Sequence, residues 1–207
     1  AIAVNEYTGE DIFLVWGTIR DMLLNLPIND FDITWPLFAE DILRVIDMAN
    51  NSNTEEGCLY YGKIIQEALG ILSIYMEWSQ IGWHQNPMQY AQFRVENEYD
   101  TVSTPSQVKL WVSLEEDAIR RDCTINSIYY NIRTNTLIDP QWGIKDLFPG
   151  IIANNNLKGN VFKNDPLRIF RIVRMQAMLK EHNPDKDIVI EAGTLEAMKC
   201  ALDDINK

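Results

Sequence analysis

The 207-residue chain is poor in the residues that build several common kinds of site. It has two histidines, His84 and His182, which argues against an imidazole metal centre. The three cysteines, Cys58, Cys123 and Cys200, are scattered and odd in number. They suggest neither a disulfide framework nor a zinc site, and a reducing cytoplasm is the natural inference. No apolar run reaches membrane-span length, no leader peptide or polybasic tail is read in it, and no internal repeat or low-complexity tract is evident. Basic residues are scarce: 18 Lys and Arg stand against 30 Asp and Glu, a net charge of -12. Cations supply most non-specific affinity for nucleic acid, so an RNA contact must be local or made by sequence outside this chain.

What the chain does have is apolar content of 46%, enough for a sizeable core in one large or two small domains. Its pattern alternates α and β and then turns helical. Ile12 to Val15 and Asp30 to Thr34 read as strands, and Ile19 to Leu26 as a helix stopped by Pro27. Pro36 opens a helix with Phe38, Ile42, Val45 and Ile46 on its apolar side. Ile71 to Met76 and Met88 to Val95 read as strands of the same sheet, and Asn97 to Gln107 as a flexible loop. Ser113 and Glu116 form a capping-box signature ahead of Arg120. A hairpin is expected around Arg133-Thr-Asn, then a helix capped by Asn164 with Pro166 in its first turn, and a last helix over Thr194 to Leu202. Lys158, Lys163, Arg168, Arg171, Arg174 and Lys180 are opposed in their stretch only by Asp165. That is a phosphate-facing surface or, equally, a solvated helix face.

Two distant phrases carry the chemistry. In the first, Gly17-Thr-Ile-Arg20-Asp21 precedes Asp30-Phe-Asp32. Residues two apart on a strand share a face, and paired carboxylates suit Mg²⁺ bearing nucleotide phosphates, since Mg²⁺ takes one or two carboxylates. Gly17 ahead of a helix bearing Arg20 suits close approach of backbone to a triphosphate. Alone, an Asp-x-Asp is more often a solvated turn. The second phrase is Asp117-Ala-Ile-Arg120-Arg121-Asp122-Cys-Thr-Ile-Asn126.

Together with Leu137-Ile-Asp-Pro140 and Gly143-Ile-Lys-Asp146-Leu147, the second phrase resembles the second block of class II tRNA nucleotidyltransferases, the CCA-adding enzymes and bacterial poly(A) polymerases. Val15 to Thr34 resembles their metal- and triphosphate-binding block, and Asp165-Pro-Leu-Arg168-Ile-Phe-Arg171-Ile-Val-Arg174 resembles their base-reading block. The resemblance covers most of residues 12–180. It implies an α+β fold: a nucleotidyltransferase head over 1–148, built as a mixed sheet with flanking helices, then the start of an all-helical neck over 149–207, with body and tail beyond this chain. The implied reaction is two-metal addition of CMP and AMP from CTP and ATP to the 3′ end of tRNA, with Mg²⁺ as cofactor and neither membrane nor DNA as partner. Asp30 and Asp32 are the implied catalytic metal ligands. Gly17 and Arg20 hold triphosphate, while Arg120, Arg121, Asp122 and Asn126 line the nucleotide pocket. Asp165 and Arg168 read the base, with Arg171 and Arg174 supporting them. An intrahelical ion pair is the plain alternative for Asp165 and Arg168. Poly(A) polymerase, partial CC- or A-adding enzyme and non-catalytic relative are the competing functions.

Three departures from the family pattern bear on this. Asn164 replaces an acidic residue before Asp165, Gln89 stands where a third carboxylate is expected, and the arginines usual after Tyr99 are absent. Trp16 and Trp142 stand where the family has glycine. They are either UGA codons read as glycine, a reading extendable to Trp35 and Trp83, or ordinary divergence with indoles packed in the core.

Overall fold

Short alternating apolar runs in the first two-thirds of the chain give strands, and the longer amphipathic segments give helices. The computed structural model describes residues 8–28, 30–52, 58–66, 70–78, 82–83, 88–101, 104–110, 112–155 and 161–205. In chain order the head elements are β1 (Phe13–Leu14), α1 (Gly17–Leu23), β2 (Asp32–Trp35), α2 (Ala39–Ser52), β3 (Cys58–Gln66), β4 (Ile71–Trp78), β5 (Gly82–Trp83) and β6 (Met88–Gln92). There follow β7 (Arg94–Thr101), β8 (Thr104–Leu110), α3 (Leu114–Ile119), a 3₁₀ turn (Thr124–Asn126), β9 (Tyr129–Asn131), β10 (Thr136–Ile138) and α4 (Gly143–Leu147). The chain then runs through β11 (Ile151–Ile152), α5 (Val161–Asn164), α6 (Leu167–His182), β12 (Val189–Ile190) and α7 (Ala192–Ile205).

Eight strands form one sheet in the order β10-β9-β1-β2-β6-β4-β3, with β5 beside β4. The β2–β6 pair is parallel and its neighbours are antiparallel, so the expected mixed sheet is present. The parallel pair places Asp32 in register with Gln89. Helix α2 buries Ile42, Val45 and Ile46 against Leu72 and Tyr90 of the sheet, whereas Phe38 is 40% exposed because the helix starts only at Ala39. Ile19, Ile125 and Ile128 share one buried cluster with Phe162, Ile169, Ile172 and Met175, so a continuous core crosses residue 148.

Several elements differ from the sequence reading. The segment expected as a loop over 97–107 is instead the outer part of the β7–β8 hairpin. Three register shifts between Glu96 and Thr101 interrupt the regular pairing that gives a strand its period of two. The strand expected over 88–95 breaks at Phe93, whose ring turns into the core beside Phe13 and Tyr129. Strand β3 was not anticipated, and β11 with β12 adds a two-residue parallel ladder to a region read as all-helical. Helix α1 begins at Gly17 and ends at Leu23, where Asn25 at φ 54° supplies the left-handed turn. Asn164 closes α5 instead of capping α6. Asp165 takes the capping part, accepting from the Leu167 amide at 3.1 Å. The capping box of α3 and the β9–β10 hairpin are as expected. No helix among the described residues is long and apolar enough to cross a membrane.

Candidate active site

Strand β1 delivers the chain to a tight turn at Trp16, and α1 starts at the next residue. Thr18, buried on that helix, holds the acidic segment in place. Its hydroxyl donates to the Asp30 carbonyl at 3.1 Å and accepts from the Asp32 amide at 2.9 Å. The sequence reading missed Thr18. A hydroxyl next to the glycine of a helix start and 12 residues before an Asp-x-Asp is its only trace. Gly17 leaves room for Arg20: a Cβ there would lie 3.3 Å from Nη2 of that guanidinium. Arg20 is buried and grips Asp21 through Nε and Nη2 at 2.8 and 2.9 Å.

From Arg20 a chain of polar contacts crosses the site. Its Nη1 donates to Asn126 Oδ1 at 2.9 Å, Asn126 donates to Asp122 at 3.0 Å, and Arg171 Nε donates to the other Asp122 oxygen at 3.2 Å. Burial alone would raise the Asp122 carboxyl, but Arg171, Asn126 and Arg168 outweigh it and hold the group below the usual range. These residues border a cleft of about 550 Å³, together with Gly17, Asp30, Asp32 and Arg174. Arg174 is exposed and pairs with no carboxylate among the described residues, which leaves it the cation most open to an anionic ligand. Of the twelve residues singled out from the sequence, eight thus meet in one cleft: Gly17, Arg20, Asp30, Asp32, Asp122, Asn126, Arg171 and Arg174.

The other four do not line it. Arg121 is fully buried and donates through Nε and Nη2 to Asp117, which also accepts from Arg120 and from the Tyr129 hydroxyl. Arg120, expected in the nucleotide pocket, instead spans Asp117 and Glu96. Arg168 reaches three oxygens, those of Asp165, Glu96 and the Arg120 carbonyl, so the intrahelical pair with Asp165 forms at 3.4 Å. Burial works against an ionised Asp117, but two guanidiniums and the Tyr129 hydroxyl drive its carboxyl far below the ordinary range.

Asp32 behaves in the opposite way. Burial raises its carboxyl to about 6, and neighbouring Asp30 adds to the rise while Arg121 and Arg171 oppose it. A carboxylate pair with too little positive charge close by is the donor set a divalent cation would complete, and two oxygens from protein suffice for Mg²⁺ with phosphates and water. The residues present therefore fit such an ion. Among the described residues, however, no three acidic, His or Cys side chains are arranged to hold a metal ion, and Gln89, level with Asp32, is uncharged.

The two unusual tryptophans sit in unusual backbone. Trp16 has φ 61° and ψ -137°, a region almost reserved for glycine, and Trp142 has φ 59° and ψ 29°. Such strain costs about 1–3 kcal/mol for a non-glycine residue. At Trp16 it is partly offset, because the indole stacks on the guanidinium carbons of Arg171 at 4.3 Å and Arg121 at 5.3 Å, each worth roughly 0.5–1 kcal/mol. Trp142 is 74% exposed, so it is not packed in the core. Trp35 is a buried strand residue against Tyr90, and neither it nor Trp83 has a positive φ.

Comparison with known proteins agrees with this architecture. The poly A polymerase head domain profile matches residues 12–153. The chain is 30% identical over 191 residues to a CCA-adding enzyme of Ligilactobacillus salivarius, covering 92% of this chain and 40% of that protein. It is 31% identical over 194 residues to the one from Pediococcus pentosaceus, covering 94% and 42%. The Bacillus stearothermophilus CCA-adding enzyme in complex with CTP superposes with a TM-score of 0.70 at 24% identity, over 95% of this chain and 40% of that one. A tRNA nucleotidyltransferase complexed with a primer tRNA and an incoming ATP analog gives 0.66 at 23%, over 98% and 50%. At these identities the structures show the fold. The chain spans about two-fifths of the curated relatives it matches.

Proposed function

We propose a function for this chain, which belongs to the poly A polymerase head domain family. It is the nucleotidyltransferase head of a CCA-adding enzyme, moving CMP and then AMP from CTP and ATP to the 3′ end of tRNA. The observation that carries this reading is the single cleft in which Asp30 and Asp32 meet Arg171 and Arg174. Acidic and basic groups facing one space suit a substrate whose phosphates are anionic and whose reacting centre needs a cation.

Asp30 and Asp32 would hold Mg²⁺, which when bound supplies charge stabilisation at the reacting phosphate and at the departing pyrophosphate. Thr18 fixes the backbone on both sides of Phe31, so the two carboxylates keep their spacing without substrate. Arg174 and the free face of Arg171 bind the triphosphate, with Asp122 orienting Arg171 through its Nε. Arg20 lines the cleft, but its bonds to Asp21 and Asn126 give it the part of a strut that keeps Asn126 and Asp122 in place. Asp165 and Arg168 offer an acceptor and donors to the edge of a base, which is how a protein selects a nucleotide without a template. Arg120 and Arg121 act structurally, by fixing Asp117 and, through the Tyr129 hydroxyl, strand β9. The relatives' names supply tRNA and the two nucleotides as partners. The thiols of buried Cys123 and exposed Cys200 are free, as suits a reducing cytoplasm.

Incubation with tRNA lacking its 3′ end and each labelled nucleotide in Mg²⁺ tests the reading. CMP followed by AMP is the expected product, and a run of AMP marks a poly(A) polymerase. Gln89 beside Asp32 favours one second reading, a nucleotide-binding relative without transfer. Binding of CTP with no incorporation under Mg²⁺ or Mn²⁺ would select it.

A further inference from the structure

Arg168 is held across the molecule by a carboxylate that the reaction does not touch. Glu96 lies on β7, and its side chain is 6% exposed. One oxygen accepts from Arg94 Nε at 2.9 Å and lies 3.5 Å from Arg120 Nη1, while the other accepts from Arg168 Nη2 at 3.1 Å. Arg168 Nη1 donates to the Arg120 carbonyl at 2.7 Å, which fixes the plane of the guanidinium. Asp165 is its other anion, at 3.4 Å, but one Asp165 oxygen is already committed to the Leu167 amide. A base amine docking on Asp165 would compete for the remaining oxygen. Glu96 then stays as the carboxylate that keeps Arg168 aimed, in the place of the neutral Asn164 beside Asp165.

We propose that Glu96 is a positioning residue for nucleotide selection, an assignment that rests on the function proposed above. The Arg94 backbone amide and the Arg120 guanidinium also bond Asp117, so that end of β7 stays anchored when the Glu96 charge is lost, whereas Arg168 loses the closer of its two carboxylates, at 3.1 Å against 3.4 Å for Asp165. The test measures equilibrium binding of CTP, ATP, GTP, UTP and inorganic triphosphate to the wild type, Glu96→Gln and Glu96→Asp. Loss of the charge in Glu96→Gln is expected to cut the preference for CTP and ATP by about tenfold, the scale of one charge-assisted hydrogen bond. Affinity for inorganic triphosphate should hold, and Glu96→Asp should restore part of the preference. Equal weakening of every ligand, or an unchanged preference, overturns the assignment. A wild type without preference among the four nucleotides overturns the functional reading and this one with it.

Backbone geometry at Trp16 and Trp142 leads to a separate conclusion. Four described non-glycine residues have positive φ, and the other two, Asn25 and Asn135, are of the type that tolerates it. Tryptophan does not, and both tryptophans stand directly before a glycine that starts a helix. At the second site a Cβ on Gly143 would collide with the Thr124 carbonyl, so the backbone after Trp142 already runs close against its neighbour. We infer that positions 16 and 142 are glycine in the protein its cell makes, from UGA codons read as glycine; Trp35 and Trp83, with strand backbone, are excluded.

The consequence lies in the cleft. Arg121 Nη1 is buried with no hydrogen-bond partner, and the Trp16 indole stacks on both Arg121 and Arg171. Glycine at 16 would open both guanidiniums to an anion. Codons 16 and 142 and the peptide masses of the protein purified from its own cells decide the matter. UGA at both, with glycine masses, is the expected result; UGG at either, or a tryptophan mass at either, overturns the inference. For recombinant protein, Trp16→Gly should bind inorganic triphosphate more tightly and melt about 2–4 °C higher. Trp142→Gly should raise the melting temperature alone.

Discussion

Asp32 and Asp117 are both buried aspartates near arginines, yet they are prepared for opposite tasks. Asp117 accepts from two guanidiniums and a tyrosine hydroxyl, and its charge is fully balanced. Asp32 lies beside Asp30, feels its arginines only at longer range, and is raised to about 6. The difference shows how a fold separates a structural ion cluster from a site awaiting a cation. In the first the counter-charges belong to the protein, and in the second they must arrive with the substrate.

The sharpest way to break that comparison is Asp30→Ala. It should reduce transfer to background while the fold, measured by circular dichroism, stays intact; residual turnover near wild type would remove the metal assignment. Next in size is Asp117→Asn, which strands Arg121 in the core and should cost about 3–5 kcal/mol in urea unfolding. A loss under 1 kcal/mol, roughly the worth of a surface pair, would show the cluster to be dispensable.

The two aspartates also predict opposite responses to pH. Asp117 is depressed, so the stability it gives is complete above the unfolded value of 3.8 and is lost only as the pH falls below it. Asp32 is raised, so metal-free protein should lose stability as the pH climbs from 3.8 through about 6. Asp32→Asn should abolish that slope and add about 2 kcal/mol at neutral pH, as urea midpoints across the range would report. A smaller effect is expected of Arg174→Ala, which should weaken triphosphate binding by about tenfold with stability unchanged. Smallest is Thr18→Val, which removes both bonds to the acidic segment and should cost about 1–2 kcal/mol of stability.

Much of this site was legible beforehand because its parts are local. Asp30 and Asp32 are two residues apart, Gly17 precedes a helix, and Ser113 with Glu116 is a capping box whatever lies around it. The hidden parts depend on distance. Thr18 reaches Asp32 through a turn, and Glu96 meets Arg168 across 72 positions of chain. The β7–β8 hairpin was read as a loop because its register shifts scramble the alternation that reveals strands.

By itself, then, the sequence determined the family, the capping box that starts α3 and the two-residue spacing of Asp30 and Asp32, since these follow from local spacing and backbone preference. Tertiary structure decided which charges are spent. Arg20, Arg120 and Arg121 look as available in the sequence as Arg174 does, but burial next to Asp21 and Asp117 commits them. A guanidinium removed from water must be paired inside the protein, and only the folded chain brings its partner within reach.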